Sequence, residues 1–216
     1  MDLKVGIITL YYKNYNFGGL LQAYALQQAL SKKGFDCKQI TYDYRSEQLG
    51  GNQQSIKEKL ITKLKDEGFS GVVSASANKI YRKFRVYAMH ERKAAFERFQ
   101  EQVIPHTERV FSSHNIVEVA SDFDVFICGS DQVWNLNLHR SPALFLDFVP
   151  GGKRKISYAA SISMNQLDSE EQAFFQRYLP SFDAVSVRSE HERGLLRGVL
   201  PQKEVEVVLD PTLLLT

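Results

Sequence analysis

Val5 to Leu10 (VGIITL) is a β-branched apolar run, and the segment Leu20 to Ser31 behind it carries Ala23, Leu26 and Leu30 at helical spacing. Gly34 stands where a helix C-cap belongs, and Cys37 to Tyr42 (CKQITY) resumes an extended pattern. Strand, helix and strand in so short a stretch form a β-α-β unit of about the minimum size, which pairs its strands in parallel. A parallel sheet needs helices on both faces, so further strands and helices must follow in alternation. They do. Phe123 to Cys128 (FDVFIC) is a near-continuous apolar run, the mark of a strand buried on both faces. Lys155 to Ala160 (KISYAA), Ala184 to Val187 (AVSV) and Val205 to Leu209 (VEVVL) are further strands. A helix is expected over Ser169 to Leu179, and another over Glu190 to Leu200, the latter opened by a Ser189/Glu192 capping box. The fold class is α/β, a doubly wound, mostly parallel sheet.

Between about residues 45 and 104 the alternation is interrupted by a helical insertion, with a short segment around Ile56 to Leu64 and a long helix from Asn78 to Val103 ended by Pro105. Lys79, Arg82, Lys83, Arg85, Arg92, Lys93 and Arg98 outnumber Glu91 and Glu97 between Lys79 and Arg98. That excess suits either a solvated helix face or peripheral contact with an anionic membrane surface or lipid diphosphate, Lys79, Arg82, Lys83 and Arg85 leading. Over the whole chain the charge is nearly balanced. Lys plus Arg number 27 and Asp plus Glu 25, a net +2 that gives no reason to expect a nucleic-acid partner. The two cysteines, Cys37 and Cys128, lie far apart with no Cys/His cluster, so neither a disulfide framework nor a zinc site is expected. No apolar run approaches the roughly 20 residues of a membrane span, and the N-terminus lacks a signal-peptide pattern. A cytoplasmic location is expected, at the inner membrane face if the basic helix engages it.

Ligands of open parallel sheets sit beyond the carboxyl ends of the strands, so candidate residues follow each strand. After the first come Asn16, Gly18 and Gly19, where a glycine pair and a helix start would let backbone approach an anion. The same glycines also suit a plain strand-to-helix turn. The loop has neither G-x-G-x-x-G nor Gly-Lys-Ser/Thr, so it is no dinucleotide fingerprint or P-loop. After the buried strand come Gly129, Ser130, Asp131, Gln132 and Trp134, with hydrogen-bonding groups for hydroxyl-rich ligands and an indole that could stack on a sugar. Asp131 equally suits a cap or turn, and Trp134 a packing anchor. Ser161 follows the KISYAA strand. Arg188 stands before a capped helix, fit for a carboxylate or phosphate or for a salt bridge to a nearby acid. His90, His106, His114, His139 and His191 show no metal-binding or triad spacing, so no metal site is expected.

These residues, in this order, resemble the polysaccharide pyruvyl transferase family. The resemblance rests on KVGIITLYYKNYNFGGLLQAYALQQAL, on FDVFICGSDQVWN with FLDFVPGGKRKISYAAS, on SVRSEHERGLL and on VVLDPTLLL. It implies a Rossmann-like domain forming the first half of a two-domain architecture similar to the B-type glycosyltransferases. On that expectation, residues 1–216 are the N-terminal domain and the second domain is missing. The family activity it implies is transferase chemistry in exopolysaccharide or cell-wall glycan biosynthesis: pyruvate passes from phosphoenolpyruvate, the donor substrate, to paired sugar hydroxyls as a ketal. No cofactor is expected. The partner would be a sugar or lipid-linked glycan acceptor, held by Asn16, Gly18, Gly19, Gly129, Ser130, Gln132, Trp134, Ser161 and Arg188, with Asp131 as the candidate catalytic residue. The resemblance places the principal acid in the second domain, so this chain alone is expected to be inactive. The competing expectation is a non-catalytic glycan- or nucleotide-binding module.

Overall fold

The computed structural model describes residues 3–47 and 90–215. β1 (Lys4–Ile8) pairs in parallel with β2 (Asp36–Gln39) on one side and β3 (Val125–Cys128) on the other, and β4 (Arg154–Ser157) continues beyond β3. β5 (Val185–Val187) and β6 (Val205–Val207) form a second parallel pair. That pair is joined to β4 by bridges at Ile156–Ala184 and Ala160–Val187. Ser157 and Ser186 stitch the seam, each hydroxyl donating to the other's carbonyl, at 3.0 and 2.7 Å. At the far edge, residues 105–111 run along β2, with Gln39 N donating to the Pro105 carbonyl and Phe111 N to the Thr41 carbonyl. The resulting parallel order, with the 105–111 edge outermost beside β2, is Rossmann-like.

Both faces of the central strands are covered, as their apolar runs require. Val5, Ile7 and Ile127 face Leu26 of α1 (Phe17–Lys32), while Ile8, Phe126 and Cys128 join the larger core on the opposite face. There α3 (Ser169–Tyr178) and α4 (Glu190–Val199) contribute Phe175, Leu196 and Val199. The helix labelled α2, residues 90–103, packs Phe96 and Phe99 against Phe17 and Tyr24 of α1, with ring centroids 4.7 and 5.7 Å apart. The remainder of the expected insertion lies outside the described residues, including the segment around Ile56 to Leu64 and the cations Lys79, Arg82, Lys83 and Arg85. Within α2, Arg92, Lys93 and Arg98 are matched by Glu91, Glu97 and Glu101, three of each sign. No helix among the described residues is long and apolar enough to cross a membrane.

Several elements differ locally from the sequence expectation. α1 begins at Phe17 because the Asn16 side chain accepts from Gly18 N (2.8 Å), and it ends at Lys33 with Gly34 at φ +88°. The strands are shorter than their apolar runs, since Tyr42 and Ala160 join the sheet only through isolated bridges. The expected reciprocal box at Ser189/Glu192 is half present. Ser189 caps Glu192 N, but Glu192 Oε1 accepts from the loop after β4 and Oε2 accepts from the Ser189 hydroxyl. The full box belongs to Asp168 and Glu171 at α3.

Candidate functional site

The chain runs from β1 outward to β2 on one side and from β3 outward to β4 on the other, so the topological switch point lies between β1 and β3. Two connections meet there, and each is held by its own side chains.

The β1 side is a polar loop built on asparagines. Asn14 Nδ2 donates to the Leu10 carbonyl (2.5 Å), Asn14 Oδ1 accepts from Asn16 N (2.9 Å), and Asn16 Oδ1 caps α1. From outside, α2 clamps the loop. Buried Gln100 accepts from Lys13 N (3.1 Å) and donates to the Asn14 carbonyl (2.7 Å), while the Tyr15 hydroxyl donates to Glu97 (2.9 Å).

On the β3 side the chain exits through Gly129 and Ser130 to Asp131, which sits at φ +78°. That left-handed conformation is costly for most L-residues and best tolerated by Asp and Asn. The surroundings over-determine it. The Asp131 carbonyl accepts from Val133 N (2.7 Å) and Ser161 N (2.9 Å). The Ser130 carbonyl accepts from Thr9 Oγ1 (2.8 Å), whose oxygen accepts in turn from Gln22 Nε2 on α1 (3.0 Å). Asp131 Oδ1 takes the amide of Gln132 (2.8 Å), which leaves Oδ2 directed at the N-terminus of α1. A Cβ on Gly19 would lie 3.1 Å from that oxygen and would collide with Asn14 Nδ2, so Gly19 is what lets the two connections approach.

A third edge of the crevice comes from the end of the described chain. Arg188 Nη1 lies 3.1 Å from Asp210 Oδ2, and Ser130 Oγ approaches the same oxygen at 3.5 Å. Asp210 Oδ1 caps the 3-10 turn Pro211–Leu214 through Thr212 N (3.0 Å) and Thr212 Oγ1 (2.7 Å), and that turn packs on α1. Burial pushes the Asp210 carboxyl up, but the bonds from Thr212 and Arg188 outweigh it and hold it below the usual carboxylate range.

The structure thus brings Asn16, Gly18, Gly19, Asp131, Gln132 and Arg188 to one end of the sheet, and it withdraws the other candidates. Trp134 has no exposed surface: it stacks on Phe145 at 5.4 Å, donates its indole N–H to the Leu144 carbonyl and is enclosed by Phe175 and Phe182. It is a core anchor and stacks on no sugar. Burial of a ring that size contributes on the order of 2–3 kcal/mol. Ser130 and Ser161 are also buried, Ser161 donating to Glu192 (2.6 Å), and Gly129 lies beneath Thr9 and Leu26. These three shape the loops from below and present no side chain to a ligand. Asn14, Gln100 and Asp210 were not singled out by sequence. Asp210 had a signal, an Asp-Pro-Thr cap with Pro at the first helical position; Gln100, on a helix far along the chain, had none.

Electrostatically the crevice is an acceptor of hydrogen bonds. The α1 N-terminus, which alone would draw an anion, already faces the Asn16 side-chain oxygen and the Asp131 carboxylate, and the nearby guanidinium is engaged by Asp210. Among the described residues no group of three or more His, Cys, Asp or Glu side chains converges as a metal site.

A family model for polysaccharide pyruvyl transferases matches residues 16–216, a span that contains the α1 cap, the β3 exit and the Asp210 turn. The chain belongs to the polysaccharide pyruvyl transferase family. Comparison with curated proteins finds no match. A crevice walled by a carboxylate, two asparagines and open backbone has the chemistry to pair with hydroxyl groups.

Proposed function

We propose that this domain forms the acceptor side of a pyruvyl transferase cleft, in which pyruvate passes from phosphoenolpyruvate to a pair of sugar hydroxyls as a ketal. The observation that carries the reading is the Asp131 carboxylate held at the α1 N-terminus, where it can accept a hydroxyl proton and where it disfavours the trianionic donor. Asn16, with its side-chain oxygen at the same rim, and Gln132 would orient the sugar, and Gly18 and Gly19 would let it approach the backbone. Arg188, exposed but tethered to Asp210, stands at the edge where a carboxylate or phosphate of the donor could displace part of that pairing.

The reaction balances as follows. A proton adds to the methylene carbon of phosphoenolpyruvate while the first hydroxyl oxygen bonds to the central carbon, giving a methyl group and a tetrahedral phosphoketal. The C–O bond to phosphate then breaks, the second hydroxyl closes the ring, and inorganic phosphate leaves with the second proton. Asp131 would serve the hydroxyl proton, and the methylene proton donor is assigned to no residue of this chain. The test is to incubate the full-length protein with phosphoenolpyruvate and a panel of glycans bearing paired hydroxyls. Stoichiometric phosphate and a new ketal methyl singlet in the proton NMR spectrum are expected. Phosphate release without a ketal, or neither across the panel, would contradict the reading.

A further inference from the structure

Beside the crevice, in the loops that follow β3 and β4, lies an open polar pocket of about 610 Å³ lined by Asn137, Ser163, Asn165, Gln166, Asp168 and Glu171 among others. Its size falls within the range of small-ligand sites. It is close to Asp131. The Asp131 carbonyl accepts from Ser161 N at 2.9 Å, and Ser163 is two residues further, at most about 7 Å of chain.

The chemistry of the lining is specific. The side-chain amides of Asn137, Asn165 and Gln166 belong to exposed residues and make no hydrogen bond to other described residues. Each offers a donor pair and an acceptor, the complement that adjacent sugar hydroxyls require. An anion is disfavoured because the one helix start in the cavity is closed by its own acids. Asp168 Oδ1 accepts from Glu171 N (2.9 Å), and Glu171 Oε2 accepts from Asp168 N (2.8 Å). The loop is also held in advance of any ligand. The buried Glu192 carboxylate accepts from Ser161 Oγ (2.6 Å), Ile162 N (2.8 Å) and Ser163 N (3.3 Å), and His191 Nε2 meets the Met164 carbonyl at 3.0 Å. A loop so fixed loses little entropy when a ligand arrives.

We propose that this cavity is a second glycan subsite, which binds the sugar next to the one that reacts at Asp131 and thereby makes the protein prefer an oligomeric acceptor. The proposal rests on the acceptor-side reading above. It is tested on the isotope-labelled full-length protein, titrated with neutral galactose-, mannose- and glucosamine-based glycans from single sugars to tetrasaccharides. Tetrasaccharides of at least one series should shift the side-chain amide resonances of Asn137, Asn165 and Gln166, and single sugars should shift them far less. The double variant Asn165→Ala/Gln166→Ala changes exposed side chains only. It should weaken tetrasaccharide binding about tenfold, the equivalent of about 1.4 kcal/mol, and leave single-sugar binding and Tm unchanged. Tetrasaccharides bound no tighter than single sugars, or bound equally by the double variant, would overturn the subsite, as would inorganic phosphate moving the same resonances. Length-dependent binding without ketal formation would reject the transfer reaction and keep the subsite. Ketal formation indifferent to acceptor length would do the reverse.

Discussion

The N-termini of α1 and α4 begin alike, each behind a polar cap in the connection that follows a parallel strand, and they are completed in opposite ways. At α4 the first turn contains Glu190 and Glu192, and Ser189 closes the cap. The Glu192 carboxylate is saturated by donors from Ser161, Ile162, Ser163 and Ser189. At α1 the first turn contains no acid. Its negative charge comes from Asp131, in the exit from another strand, through a residue at φ +78° that keeps one carboxylate oxygen uncommitted. A helix start finished by its own neighbours holds loops together. One finished from across a crevice leaves an acceptor oxygen and a glycine backbone, with no side chain between them, at the crevice wall.

Three substitutions or conditions should separate these roles. The largest stability effect belongs to α4. Glu192→Ala leaves the buried Ile162 amide, the partly buried Ser163 amide and the Ser161 and Ser189 hydroxyls without this acceptor and should cost about 1–3 kcal/mol of folding stability, read by denaturant unfolding of the full-length protein. A loss under about 0.5 kcal/mol would show that the junction is not the anchor described. Gly19→Ala at α1 should be milder, about 1 kcal/mol, because the Asn14 side chain can yield by releasing the Leu10 carbonyl. Its functional cost should be larger than its structural one, with glycan affinity falling while Tm moves by a few degrees. The smallest effect is in pH. Burial pushes the Glu192 carboxyl up, yet its hydrogen bonds outweigh this and hold it below its ordinary 4.5. The folded state therefore binds the proton less readily than the unfolded one. The associated stability is complete above about pH 5 and is lost as pH falls through the folded pKa. Glu192→Gln should flatten that acid limb; an unchanged slope between pH 5 and 3 would remove Glu192 as its source.

The two helix starts also differ in how far sequence exposes them. Strand and helix order was readable because Val5–Leu10 and Phe123–Cys128 are apolar on both faces and α1 keeps its helical period, so the parallel sheet followed. The crevice was readable as a place, since Gly18, Gly19 and Asp131 follow the two central strands. Which residues turn into it was not. Trp134 lies only three residues beyond Asp131 in sequence, yet the chain turns at Asp131 (φ +78°) and runs on into the core, where Phe145, Phe175 and Phe182 enclose the indole. Ser189-x-x-Glu192 matched a local box, but Ser161 and the amides of Ile162 and Ser163 competed for the carboxylate from a loop that sequence spacing does not bring near. Asp210 and Gln100 act through tertiary contacts of the same kind, one tethering Arg188 and the other clamping Asn14.

Whether Asp131 serves the acceptor hydroxyl is read from turnover of the Asp131→Asn full-length protein. Asn tolerates the left-handed backbone and keeps the acceptor for Gln132 N, so Tm and glycan affinity should stay close to those of the parent. If Asp131 takes the hydroxyl proton, kcat for ketal formation falls about a hundredfold or more. A kcat equal to the parent's, with the fold intact, would contradict it.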